Sequence, residues 1–424
     1  MIFKIQKVAA RGIRGLYVQW SNSRKMAGPV CIVLLLLLLE GCTRPSFHEP
    51  VSLTLLEEWT TKTLSAAREQ ELQQFTRETG IRVKLLPSPE SAREKLALWQ
   101  ELLRTGGSGP DVYGIDVIWP RILNEYFIDL KPHFAGEISS QFPVIAASYT
   151  VDNKLMAMAY HADIGLLFYR TDLLRQYGYR EPPSTWDELE TMAARIQAGE
   201  RAKGKKEFWG FVWQGAAVEG LTCDALEWQA SEGGGRIIAG DAAFMRSWPM
   251  AYVDSQATDS PIRNKFDITL LPAGKAGRVG TLGGVGLAVS RFSAHTNEAL
   301  ELVRYLCSRK VQLERSRVLS EPPTFPELYE LAGLREPNPR YAVLAQAFRT
   351  AVISRPSSVT GKNYQDVTDA YMQAVHSVLT GEKRALEAAA TLEKELVRIT
   401  GFKTGPPSAG MSGTTVKERS GPVH

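Results

Sequence analysis

Residues 30–39, VCIVLLLLLL, form an unbroken apolar run of ten, after which the chain settles into short segments whose apolar positions recur every two or every three to four residues. The run is too short to cross about 30 Å of hydrocarbon, which takes roughly 20 apolar residues, and matches the about 7–15 of a signal-peptide core. Further on, 51–56 alternates as a strand, 64–79 carries a helical stripe closed by Gly80, and 81–86 returns to strand. Ser88 as cap, Pro89 at the first helical position and Gly106-Gly107 as the stop predict a helix over 88–104. Gly109-Pro110 then introduces a strand over 111–115. This βαβαβ order predicts an α/β fold with a mostly parallel sheet covered on both faces. Ligands of such sheets sit beyond the carboxyl ends of the strands, where Asp116 and Trp119 fall.

The pattern continues through the rest of the chain. In YTVDNKLMAMAY (149–160) apolar positions flank Asp152-Asn153, which predicts a tight hairpin. A buried strand over 165–169 follows, and Pro182-Pro183-Ser184-Thr185 opens a helix with Thr185 as cap and Glu188 at its third position. A helix over 221–231 ends at the Gly233-Gly234-Gly235 turn, and helices are predicted over 295–306, 341–349, 364–379 and 384–399. The segment 404–424 is rich in Gly, Pro, Ser and Thr and has too few apolar residues to pack, so it is expected to be disordered. Of 424 residues, 382 follow Cys42; that exceeds what one hydrophobic core accommodates, and two lobes are expected.

Charge changes the picture of the amino end. Lys4, Lys7, Arg11, Arg14, Arg24 and Lys25 precede the apolar run, the charge order of an exported leader. Translation from Met1 keeps all six, whereas a start at Met26 leaves only the terminal amine. The whole chain is +4, but residues 1–42 hold six basic residues and one acidic, so the remainder is −1. With no basic-aromatic cluster either, nucleic acid is excluded as a partner. Cys31 lies in the leader and Cys42 ends it, while Cys223 and Cys307 read as separate buried thiols. No serine-hydrolase, zinc-protease or phosphate-loop motif occurs, and no Cys/His spacing suits zinc; neither cofactor nor metal is expected, and no enzyme. The six histidines, His161 among them, read as ordinary core or surface residues.

The remaining chemistry lies in aromatic rings and carboxylates near element ends: Trp59, Asp116, Trp119, Tyr160, Asp163, Trp213, Trp248 and Tyr252. A sugar exposes an apolar C–H face and a rim of hydroxyls, so its site needs flat rings and carboxylate or arginine forks. This set supplies both. Trp99, Trp186 and Trp228 lie in predicted helices and are assigned to packing.

Two resemblances extend the reading. Leu39-Glu40-Gly41-Cys42 resembles the lipobox of bacterial lipoproteins, which implies a diacylglycerol on the Cys42 thiol; Glu40 stands where that family has a small or β-branched residue, and a plain secretory signal is the other reading. The mature chain resembles the extracellular solute-binding proteins of ABC importers, in the branch for maltose, trehalose and related sugars. The resemblance runs through GPDV (109–112), DVIWP (116–120), GLLFYRTDLL (165–174), PSTWDEL (183–189), AAFMRSWP (242–249), LGG (282–284) and GLAV (286–289).

That resemblance implies a two-lobed type II periplasmic-binding-protein fold, with residues 43–161 and 273–318 in the first lobe and 162–272 and 319–403 in the second. The chain would cross near 162–165, near 270–273 and again before the C-terminal helices. Asp116 and Asp163 would accept sugar hydroxyls, Trp119, Tyr160, Trp248 and Tyr252 would stack, and Arg355 would donate a fork. Glu57 or Glu58, Arg93 and the backbone at Gly283-Gly284 are further ligand candidates. The implied protein is a lipid-anchored monomer on the periplasmic or extracellular face of a bacterial membrane, serving permease subunits. Two departures from the family stand out: Val285 replaces a frequent Trp, and Ile238 runs directly into Ala239, where relatives carry several tens of residues, so the second lobe is expected to be shortened. Two other functions stay open, a receptor-type lipoprotein without tight sugar binding and a secreted polysaccharide-acting enzyme using Asp116 and Asp163 as a carboxylate pair.

Overall fold

A computed structural model describes residues 50–57, 62–89, 91–106, 109–231, 242–336 and 338–404. The leader with Cys42, then Glu58, Trp59, the junction after Ile238 and the tail beyond Thr404 lie outside the described residues.

The chain opens as β1 (Ser52–Leu56), α1 (Lys62–Thr79), β2 (Arg82–Leu86), α2 (Ala92–Thr105) and β3 (Val112–Asp116). Next come α3 (Pro143–Ser148), the hairpin strands β4 (Thr150–Val151) and β5 (Lys154–Leu155), β6 (Met158–Ile164) and β7 (Leu166–Arg170). The middle holds α4 (Trp186–Ala202), β8 (Trp209–Val212), α5 (Glu219–Ser231), β9 (Ala242–Ser247), β10 (Phe266–Leu270) and β11 (Gly280–Val289). The end is mainly helical, with α6 (Thr296–Leu306), α7 (Arg309–Leu319), α8 (Arg340–Thr350), the short strand β12 (Val352–Ile353), α9 (Tyr364–Leu379) and α10 (Ala385–Thr400).

Local chemistry accounts for several of these boundaries. Asp152 and Asn153 take φ values of 48° and 63°, the left-handed pair that a two-residue hairpin requires. At α4 the Thr185 hydroxyl accepts from the Glu188 amide while the Glu188 side chain reaches back to the cap, as predicted. The start of α2 differs from its prediction. Ser91, not Ser88, caps it and accepts from the Glu94 amide, because Ser91 has a glutamate three residues on and Ser88 does not.

Six strands form the first sheet in the order β12-β11-β3-β1-β2, with β6 on the remaining side of β11. The β1–β2 and β1–β3 ladders are parallel, but β11 runs antiparallel to β3 and β6. The second sheet, β10-β7-β9-β8, is antiparallel except for β8 beside β9. Both sheets are therefore mixed rather than mostly parallel. The antiparallel ladders belong to β6, β7, β10 and β11, the strands that carry the chain from one sheet to the other. Crossing occurs at Gly165 between β6 and β7, over 271–279 between β10 and β11, and over 354–363 between β12 and α9. Gly165 is obligatory, since a Cβ there would collide with the Glu227 carboxylate.

The larger core packs Leu53, Trp99, Leu287 and Leu302 and also takes Phe168 and Ile268 from one face of the second sheet. A smaller core on the other face joins Leu167 and Phe244 to Trp186 and Leu189 of α4. Segment 319–403 divides between them: Tyr329, Tyr341 and Phe348 enter the larger core and Met372 the smaller. Beside β7, β9 and β10 lies a groove of about 80 Å³ lined by Phe168, Val212, Met245, Ile262 and Phe266, apolar surface of the kind expected of a shortened lobe. No helix among the described residues is long and apolar enough to cross a membrane.

Candidate functional site

β3 and β12 both flank β11, and this brings Asp116, the last residue of β3, to Arg355, three residues after β12 begins. Arg355 Nη2 donates to Asp116 Oδ1 at 3.0 Å and Nη1 to Glu219 Oε1 at 2.9 Å. Glu219 opens α5 and also accepts from the Tyr364 hydroxyl at 2.6 Å and the Thr368 hydroxyl at 2.9 Å, both on α9. Burial works against the charged guanidinium of Arg355, yet the carboxylates beside it raise its pKa well above the usual arginine value. Glu219 was missed in the sequence because it belongs to no motif and stands before the predicted start of its helix.

A second group forms where β6 and β11 run side by side. Their register sets Asp163 opposite Gly283 and Ala162 opposite Gly284. A Cβ on Gly283 would lie 3.1 Å from both the Asp163 Cβ and Trp248 Cζ3, so the glycine is what lets carboxylate and indole meet. Gly284 has a φ of +122°, and a Cβ there would stand 2.6 Å from the His161 carbonyl oxygen. The Arg246 guanidinium lies 4.1 Å from the Trp248 ring centroid. Arg246 is itself fully buried, with Nε 2.7 Å from Asp224 Oδ1 and also donating to Glu227 Oε2 at 2.7 Å. Glu227 further accepts the Thr281 amide of β11 at 2.8 Å, so the support of Trp248 is tied to a crossing strand. Burial, then the Glu227 charge, push the Asp224 carboxyl far above the usual carboxylate range.

Three expected stacking residues are placed elsewhere. Asp116 accepts the Ile118 amide at 3.0 Å in a tight turn that sends Trp119 back into the core, edge-on to Trp99 at 5.9 Å. Tyr160 is 1 % exposed, and the guanidinium carbons of Arg68 and Arg315 lie 4.4 and 3.7 Å from its ring centroid, so no face is open to a ligand. Tyr252 packs on Phe266 and beneath Arg340, whose guanidinium is 3.5 Å from the ring. Arg93 forms an exposed ion pair with Asp369 of α9 at 2.9 Å, away from both groups above. Glu57, at the end of β1, pairs with Arg68 at 2.8 Å, and its carboxyl is raised mainly by burial.

His161 enters the site although its sequence reading was ordinary. Two residues from Asp163 on one strand, it shares that residue's face, a period that was available in the sequence. His161 Nε2 lies 3.6 Å from Asp163 Oδ2; burial works against the charged imidazole, but Asp163 and Glu321 outweigh it and raise the pKa. Cys223 and Cys307 are free and buried, and burial pushes both thiols up to about 12. The described residues hold no cluster of His, Cys, Asp and Glu able to bind a metal.

The family of bacterial extracellular solute-binding proteins matches residues 59–313. An ABC transporter-binding protein of Deinococcus radiodurans is 40% identical over 374 residues, covering 77% of this chain and 89% of that one. Among solved structures, maltose-bound MalE3 of T. maritima is 30% identical with a TM-score of 0.74, covering 82% of this chain and all of that one. The GacH receptor of Streptomyces glaucescens, at 21% identity and TM-score 0.72 over 83% of this chain and 99% of that one, shares the fold.

Proposed function

This chain belongs to the bacterial extracellular solute-binding proteins, and we propose that it captures a sugar in the cleft between its two sheets and hands it to the permease subunits of an ABC importer. It binds a solute and does not transform it. The observation that carries the sugar reading is the meeting of Asp163 and Trp248 over Gly283, with Asp116 and Arg355 close along β11. An indole face suits the apolar side of a pyranose, and carboxylates suit its hydroxyls. The maltose-bound relative supports a di- or oligosaccharide of the maltose or trehalose type. We propose further that Cys42 carries a lipid anchor and that the exported protein works as a monomer.

A thermal-shift panel of sugars, with chromatography of each sugar afterwards, tests this. A melting temperature raised by maltose or trehalose, with the sugar recovered intact, is expected. Hydrolysed sugar would contradict it.

One observation favours a second reading, a receptor-type lipoprotein that keeps the fold without tight sugar binding. The alignment to the Deinococcus radiodurans protein spans 374 positions yet occupies only 77% of this 424-residue chain, so that relative carries residues this one lacks. A folded protein shifted by no sugar in the panel would favour this reading.

A further inference from the structure

Between the first sheet and the 354–358 segment lies a cavity of about 140 Å³ that no sequence motif announced. Ile118, Pro120, Val144, Val151 and Leu282 give it apolar walls, and Arg121, Arg355, Ser354, Ser357 and Ser358 line the rest. Arg355 is 5 % exposed and its two Nη groups are spent on Asp116 and Glu219, but its Nε–H has no acceptor. Arg121 repeats the arrangement: Nη2 donates to Asp152 at 3.1 Å, and its buried Nε–H has no partner. Two buried donors without acceptors on the wall of one cavity are costly unless something accepts from them.

We propose that this cavity seats one uncharged polyhydroxylated unit, a single sugar ring or an open-chain sugar alcohol, and the inference rests on the sugar-binding reading above. Size sets the upper limit, since a cavity of about 150 Å³ takes one six-membered ring. Charge sets the class. Asp116 and Glu219 already neutralise Arg355, and Asp152 neutralises Arg121, so the wall offers N–H and hydroxyl groups without net positive charge. An anion would face the carboxylates of those pairs at close range. A neutral hydroxyl accepts from each Nε–H and donates to the serine oxygens, while the apolar walls cover its C–H groups.

Calorimetry on the whole exported chain with D-glucose, D-mannitol, glucose 6-phosphate and maltotriose tests the assignment, using wild type, Arg121→Met and Ala147→Phe. Ala147 is an exposed α3 residue on the cavity rim, so a ring there blocks the cavity without entering the core. Ser358→Trp, from the facing segment, serves if Ala147→Phe fails to fold. Glucose or mannitol is expected to bind wild type, about tenfold more weakly to Arg121→Met and not measurably to the blocked variant, with glucose 6-phosphate weaker than glucose. A tighter phosphate sugar, or equal affinity in wild type and the blocked variant, overturns the proposal. Maltotriose binding unchanged in every variant, without glucose or mannitol binding, leaves the importer reading intact and overturns this one. No binding of any sugar to wild type overturns both.

Discussion

Arg355 Nη2 stands 3.0 Å from Asp116 Oδ1, so the arginine expected to reach a sugar is held by the carboxylate expected to accept that sugar's hydroxyls. The same guanidinium is fastened on its other side by Glu219, which the α9 residues Tyr364 and Thr368 orient. Glu219 thus positions the fork, leaving the Asp116 contact as the one a ligand shares or replaces. Glu219→Gln keeps the shape and removes the charge. Because a hydrogen bond to a charged group contributes about 1.5–3 kcal/mol, urea unfolding of this variant should show a loss in that range. Unchanged stability would contradict the positioning role.

Arg246 supports Trp248 from below and is buried against two carboxylates. Arg246→Met leaves Asp224 and Glu227 bare, and breaking a buried pair costs about 3–5 kcal/mol. Asp224 already has a raised pKa, from burial first and then from Glu227, so it takes up a proton as pH falls. The deficit measured by urea unfolding at pH 7 should therefore shrink at pH 5. An equal deficit at both pH values would show that packing, not charge, decides the loss.

The architecture was legible in the sequence wherever one short segment decides the outcome. Asp152-Asn153 alone determines a hairpin, Thr185 with Glu188 determines a helix start, and the alternation from 51 to 115 determines three strands and two helices. Residues at element ends were located correctly along the chain, but the side each faces depends on partners far away in sequence. Trp119 turns inward because Trp99 and a tight turn at Asp116 receive it. Tyr160 is enclosed because Arg68 and Arg315, 92 and 155 positions away, converge on it. Glu219 had no local signal at all.

His161 supplies a pH dependence. Its folded-state pKa is raised above the ordinary histidine value, through Asp163 and Glu321 acting against burial and the neighbouring Arg315. Such a group contributes stability that is complete below about pH 6.5 and is lost as pH rises through the raised value. Wild type should lose more unfolding free energy than His161→Gln between pH 6 and pH 9. Parallel curves for the two proteins would contradict the assignment.

The anchor rests on Cys42. Cys42→Ala should abolish lipidation and shift the protein from the membrane to the soluble fraction, with an intact-mass measurement reporting any uncleaved leader. Membrane retention of a cleaved Cys42→Ala protein would contradict the anchor.

Titration of maltose, trehalose and mannitol into wild type and Trp248→Ala tests the central claim most directly. Sugar capture beside Asp163 predicts saturable binding to wild type, and loss of the indole face should weaken it by about 1–3 kcal/mol, about five- to 150-fold, with little change in unfolding temperature without ligand. An affinity that Trp248→Ala leaves unaltered, or the absence of heat with every sugar in a folded wild type, would contradict the account.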